Sequence, residues 1–235
     1  MSDLDQRIAN AVEGTHVVRP PSQALATFGA TIVRYYLVTE PLYQELAPRP
    51  EVEEAVVREG VVRAERPQVV TPYYLSRHEG FGENAGRYLR RLMARVGPDA
   101  PGLLYTYKNE GMETAIVAGS AGEVAARIAG RLDKEERGLE AVIRGSDDLW
   151  DVSLMKFIHD WTNDSARSNV KEMNARGLLH MESGVPREAR VRIERMIEAA
   201  RQGNVDPAAV HRELERWGVF EEYQDRFLGI FKGRL

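Results

Sequence analysis

The chain has 235 residues, 43% of them hydrophobic and 29% charged, with no cysteine and a formal net charge of −4. That length and composition fit one large soluble domain or two small ones, either able to bury a core, and the missing cysteines exclude disulfides, thiolate metal sites and thiol redox chemistry. No apolar run approaches the roughly 18 residues of a membrane span, and the net charge argues against general attraction to nucleic acid.

The opening "MSDLDQRIANAVEG" is acidic and polar, unlike the basic-then-apolar start of a signal peptide. A cytoplasmic location is therefore expected. Residues 2–13 read as a short amphipathic helix that the paired prolines Pro20 and Pro21 prevent from continuing. "TIVRYYLVT" (31–39) is rich in β-branched and aromatic residues and reads as a strand. "AVVREGVVRAER" (55–66) shows two apolar runs about Glu59-Gly60, the pattern of a hairpin whose glycine supplies the turn. Helical spacing follows over 83–96. "LLYTYKNEGMETAIVA" (103–118) repeats the hairpin pattern with Asn109-Glu110-Gly111 at its turn, and a helix is expected over 121–136. The order of strands and then helix thus occurs twice, a hint of internal duplication. "EAVIRG" (140–145) offers one more strand. From there helices are predicted over 147–176, 186–201, 207–217 and 219–231, with Asp206 capping the third before Pro207.

The expected fold class is α+β: an antiparallel sheet built from β-hairpins, flanked by helices, with a mainly helical C-terminal third. The expected organisation is an α+β domain over 1–145 and a helical subdomain over 146–235, packed on it or continuous with it.

"SDDLWDVSLMKFIHDW" (146–161) is the stretch densest in chemistry-bearing side chains. On a helix Trp150, Leu154, Phe157, Ile158 and Trp161 form one apolar stripe. Asp148 and His159 share the opposite face but stand about 16 Å apart along the axis, too far for one metal ion or a direct proton relay. Lys156 precedes Asp160 by four residues, the spacing of a surface ion pair. The stretch is read as a packing helix, and no metal site is expected.

"AGSAG" (118–122) has the A-x-S-x-G form and resembles a variant nucleophile elbow of the α/β-hydrolases. Ser120 and Glu123 also form S-x-x-E, a capping box that accounts for the serine without catalysis. "WTNDSARSNVKEMNARGLLHMESG" (161–184) loosely resembles the turn, second helix and wing approach of a winged helix-turn-helix, but its surroundings carry more acid than base, unfavourable for phosphate contacts. Tyr105 and Tyr107 lie on one face of a predicted strand, where tyrosines usually pack across strands and occasionally stack a ring-shaped ligand. Phe220, Tyr223, Phe227, Leu228 and Phe231 form a terminal apolar stripe that fits a core-docking helix or an oligomer seam.

"RHEGFGENAGRYLRRLMARVG" (77–97) holds the least random charge feature. Arg87, Arg90, Arg91 and Arg95 recur on one helical face, and no acidic residue stands between Asn84 and Pro98. Gly82 and Gly86 let backbone N–H groups approach an anion at the helix start, and Arg77 and His78 add donors. Arginine suits phosphate and carboxylate because its planar fork donates two parallel hydrogen bonds. The expected function is a binding or assembly protein engaging a phosphate-containing ligand or an acidic protein surface through this helix. The alternative is an enzyme acting on a phosphorylated or carboxylated small molecule; weak nucleic-acid binding ranks third. No cofactor is implied, and no acid, base and nucleophile converge at any readable spacing.

Overall fold

The computed structural model describes residues 3–43, 53–77 and 83–231. In chain order the elements are α1 (Asp3–Gly14), β1 (His16–Arg19), β2 (Thr31–Thr39), β3 (Glu54–Ala64), β4 (Gln68–Val70), α2 (Pro72–Ser76), α3 (Glu83–Val96), β5 (Gly102–Leu104) and β6 (Tyr107–Ala118). They continue with α4 (Ala121–Lys134), β7 (Glu140–Gly145), α5 (Trp150–Ala175), β8 (Met181–Glu182), β9 (Val185–Pro186), α6 (Arg187–Arg201), α7 (Pro207–Trp217) and α8 (Phe220–Leu228). The fold is mixed α+β, mostly antiparallel in its sheets, with helices dominating the C-terminal part. No helix among the described residues is long and apolar enough to cross a membrane.

The chain divides into two compact units, each assembled from two segments: Met1–Arg66 with Tyr105–Asn169, and Pro67–Leu104 with Val170–Leu235. The sequence reading expected one boundary near residue 145. The difference arises because β3 pairs with β6, which brings Glu54–Ala64 beside Tyr107–Ala118 and sets the intervening segment apart. Helix α5 carries residues of both units.

In the first unit the sheet order is β1-β7-β2-β3-β6. β2 and β7 run parallel; the other neighbours are antiparallel. Alternation along β2 sends Val33, Tyr35 and Leu37 to one face and Tyr36 and Val38 to the other, all buried. The first set packs on Leu154, Phe157, Ile158 and Trp161 of α5. The second packs on Ala121, Val124, Ala125 and Leu132 of α4. A helix on each face explains why β2 reads as a nearly continuous apolar run.

The predicted apolar stripe of α5 is thus buried as expected, with Trp150 partly buried at its start. Lys156 Nζ donates to Asp160 Oδ2 over 2.6 Å, and His159 is exposed. Ser120 and Glu123 form the capping box of α4 in both directions. Because α5 runs unbroken to Ala175, residues 161–175 hold no turn of a helix-turn-helix, and the chain first turns at 176–179.

Two expected hairpins are instead single strands. Glu59-Gly60 lies in the middle of β3 and Asn109–Gly111 within β6. Gly60 pairs with Met112 and Val61 with Glu110, so Gly111, at φ +54°, is the extra residue of a β-bulge. The bulge reverses the face on which odd-numbered residues of β6 point. Val117 packs in the α4 layer, whereas Tyr107, ten residues earlier, packs in the α5 layer. Glycine is needed at Gly60 for another reason: the Tyr35 ring lies across it, with the hydroxyl donating to Asn109 Oδ1 at 3.1 Å. The suggested duplication fails as well, since α3 belongs to the second unit and α4 to the first.

The second unit is built around α6 and α7. Ala189, Ile193, Ile197 and Ala200 line the inner face of α6, and Val210, Leu214 and Trp217 that of α7. They pack with Tyr74 of α2, Val70 of β4 and Tyr223 of α8. Asp206 caps α7 by accepting from Ala208 N at 3.0 Å, Pro207 occupies the first turn, and Gly218 ends the helix at φ +69°.

Candidate anion-binding site

The functional candidate in the second unit rests on two short helices. Thr71 caps α2, its hydroxyl accepting from Tyr74 N at 3.2 Å, and Pro72 sits in the first turn, where its missing N–H is harmless. Arg77 follows the last turn of α2. Its Nη1 donates to Tyr73 Oη at 3.0 Å and its guanidinium lies 5.6 Å from the Tyr73 ring centroid.

On α7 the inner positions are Val210, Glu213, Leu214 and Trp217. The 3.6-residue repeat then leaves two rows outside: His211 with Glu215, and Arg212 with Arg216. Together with Arg77 these four line an open depression of about 310 Å³. The His211 ring rests against Phe220 and Phe227, at centroid distances of 4.9 and 5.7 Å. Among the described residues three guanidinium groups and one carboxylate line it, a lining that is net positive.

A buried polar network lies on the inner side of α7. Glu213 accepts from Tyr74 Oη at 2.9 Å and from Trp217 Nε1 at 3.1 Å. Arg192 Nη2 stands 3.0 Å from Glu213 Oε1 without hydrogen-bond alignment, so that contact is chiefly Coulombic. Arg192 Nε is 3.9 Å from Glu188 Oε2, which accepts from Val69 N at 3.2 Å. Burial above all, and then the Glu213 carboxylate, push the Tyr74 hydroxyl above its usual titration range; contacts with Arg192 and Arg216 oppose that.

Of the residues singled out in the sequence, Arg77 alone is brought to this depression among the described residues. His78 and Gly82 lie outside the described residues. Gly86 falls in the first turn of α3. Arg87, Arg90, Arg91 and Arg95 are all exposed along α3, with Arg95 in the last turn, where the helix dipole favours a cation. Arg87 engages another residue; Arg90, Arg91 and Arg95 make no ion pair among the described residues. Val96, the last residue of α3, is exposed. His211, Arg212, Glu215 and Arg216 were missed. Their signal was present in "HRELER", where arginines four apart flank the apolar positions of a well-capped helix.

A second depression lies in the first unit at the carboxyl ends of the parallel strands β2 and β7, lined by Glu40, Arg144, Ser146, Asp147 and Asp148 among others. Its charged groups have partners. Asp147 Oδ1 accepts from Thr39 Oγ1 at 2.8 Å and Arg58 Nη1 at 2.7 Å, and Oδ2 from Leu42 N at 3.3 Å. Asp148 pairs with Arg7 at 2.7 Å, and Arg144 stands 3.9 Å from Glu40. Burial alone would raise the pKa of Asp147, but the hydrogen bonds from Thr39, Arg58 and Leu42, with the Arg58 charge, outweigh it and hold the carboxyl below its ordinary range. These groups brace the sheet end and present little unpaired charge. No group of three or more His, Asp or Glu among the described residues is arranged to hold a metal ion.

Asp147→Asn is accordingly expected to cost about 1–3 kcal/mol at neutral pH. Since the folded-state pKa lies below the unfolded one, the carboxylate's contribution is complete above the unfolded value and fades as pH falls toward the folded one. Urea unfolding of both proteins from neutral to acid pH should show a difference that is largest near pH 7 and shrinks on acidification. A constant difference would refute the assignment.

No known protein family matches the chain, and neither a curated protein nor a solved structure shows significant similarity to it.

Proposed function

We propose that this chain is a binding protein for an anionic ligand, anchored by Arg77, Arg212 and Arg216. The observation that carries the reading is the convergence of three guanidiniums, from segments 135 residues apart in sequence at Arg77 and Arg212, on one depression with a single carboxylate among its described residues. Charge distribution supports it. The first unit carries 22 acidic and 15 basic side chains, the second 14 acidic and 17 basic, so the chain's −4 divides into −7 and +3. A moderately acidic protein thus contains a net basic unit, and the α3 arginines add to its positive potential. The enzyme reading is second. It is favoured by His211 and Glu215 standing beside the arginines, where either residue type can transfer a proton.

Thermal unfolding with inorganic phosphate, pyrophosphate, citrate and a short oligonucleotide tests the reading, because a ligand specific to the folded state raises Tm. Arg212→Gln with Arg216→Gln is expected to weaken binding of the preferred anion at least tenfold, each lost charged hydrogen bond being worth about 1.5–3 kcal/mol. Replacing Arg87, Arg90, Arg91 and Arg95 by Gln should reduce mainly the salt-sensitive part. If only the α3 replacement removes binding, the ligand lies on that helix; if no anion raises Tm, the reading fails.

A further inference from the structure

We infer that Glu215 makes the arginine-lined depression selective for an oxyanion that still carries a proton, so that hydrogen phosphate is taken and sulfate refused. The inference rests on the anion-binding reading above. Glu215 lies between Arg212 and Arg216 in sequence and lines the same depression as Arg77. An ionised carboxylate is an acceptor only. An acid placed among arginines ordinarily neutralises them, yet among the described residues Glu215 makes no ion pair or side-chain hydrogen bond. Arg77 is turned to Tyr73 instead. The carboxylate is therefore left facing whatever the guanidiniums attract.

Phosphate and sulfate are both tetrahedral, similar in size and able to accept from a guanidinium fork, so the arginines alone distinguish them poorly. They differ in what they can give. Near neutral pH inorganic phosphate retains at least one P–OH group, whereas sulfate retains none. A P–OH directed at Glu215 forms a charge-assisted hydrogen bond. A sulfate oxygen in that position sets lone pair against lone pair and negative charge against negative charge. The depression, at about 310 Å³, is also larger than one such ion. It leaves room for the remainder of a phosphate-bearing molecule whose own hydroxyl or ammonium group can serve as the donor to Glu215.

Calorimetric titration of the full chain with sodium phosphate and sodium sulfate, at pH 7.5 and matched ionic strength, provides the test. The wild type is expected to prefer phosphate by about tenfold, the scale of one hydrogen-bond mismatch in a half-open site. Glu215→Gln supplies a donor as well as an acceptor at the same place and should bring the two affinities within about threefold, chiefly by gaining sulfate. Glu215 is exposed, so this variant should keep the wild-type Tm. Equal affinities in the wild type, or an unchanged ratio in Glu215→Gln, would overturn the inference and leave the anion reading standing. Binding of neither ion would remove both.

Discussion

Gly60→Ala is expected to destabilise the first unit by about 3 kcal/mol, the upper range for overpacking a filled core. A Cβ at Gly60 would stand 2.5 Å from Tyr35 Oη, 2.7 Å from Tyr35 Cζ and 2.9 Å from Gly111 O. Tyr35 has no exposed surface and its hydroxyl is held by Asn109, so the ring cannot swing away. Backbone must yield instead, at the point where β3, β6 and the bulge meet. Gly111→Ala isolates the other glycine requirement. A side chain there meets nothing within 4 Å, and its cost is only the left-handed backbone at φ +54°, about 1–2 kcal/mol. Urea unfolding of the two variants should rank Gly60→Ala as the more damaging. The reverse order would mean that the sheet absorbs the clash by shifting and that the bulge conformation is the true constraint.

Arg192→Leu is expected to cost the second unit about 3–5 kcal/mol, the range for breaking a buried ion pair from one side. Arg192 lies between Glu188 and Glu213, both buried, and its loss removes the guanidinium that stands near both carboxylates. Adding Glu213→Gln to Arg192→Leu should recover part of the loss, because the buried charge on Glu213 then disappears while the acceptor for Trp217 remains. A double-mutant cycle on urea unfolding should therefore show strong coupling. Additive effects would show that Arg192 acts through packing of its stem alone.

Much of the local structure was readable because periodicity and punctuation agreed. β2 and β7 fall on the residues expected, α3 spans the expected 83–96, and Ser120, Asp206 and Pro207 perform their terminal roles. Glu59-Gly60 and Asn109–Gly111 misled for a physical reason. A glycine within an apolar strand means either a turn or a close approach by another group, and only the neighbouring strand decides which. Tyr35 makes Gly60 an approach, and the pairing of Gly60 with Met112 makes Gly111 a bulge. The candidate site was legible in part. Arg77 was picked out by its glycine-rich surroundings, whereas its companions on α7 come from 135 residues further along and are joined to it through Tyr74, which packs against Trp217 and donates to Glu213. The α3 row drew attention because its charges are contiguous. The depression gathers its charges from two helices, and no sequence window contains both.

The two-segment make-up of each unit has a consequence for how this protein comes off the ribosome. Strands β3 and β6 are neighbours in one sheet, yet Pro67–Leu104 is synthesised between them and belongs elsewhere. The first unit cannot complete its sheet until β7 has emerged, and throughout that time Pro67–Leu104 waits for a partner segment that begins only at Val170. The nascent chain must therefore carry apolar surface such as Val70 and Tyr74 without its eventual cover for most of translation. A fragment ending at Asn169 would keep every strand of the first unit and still display that uncovered surface.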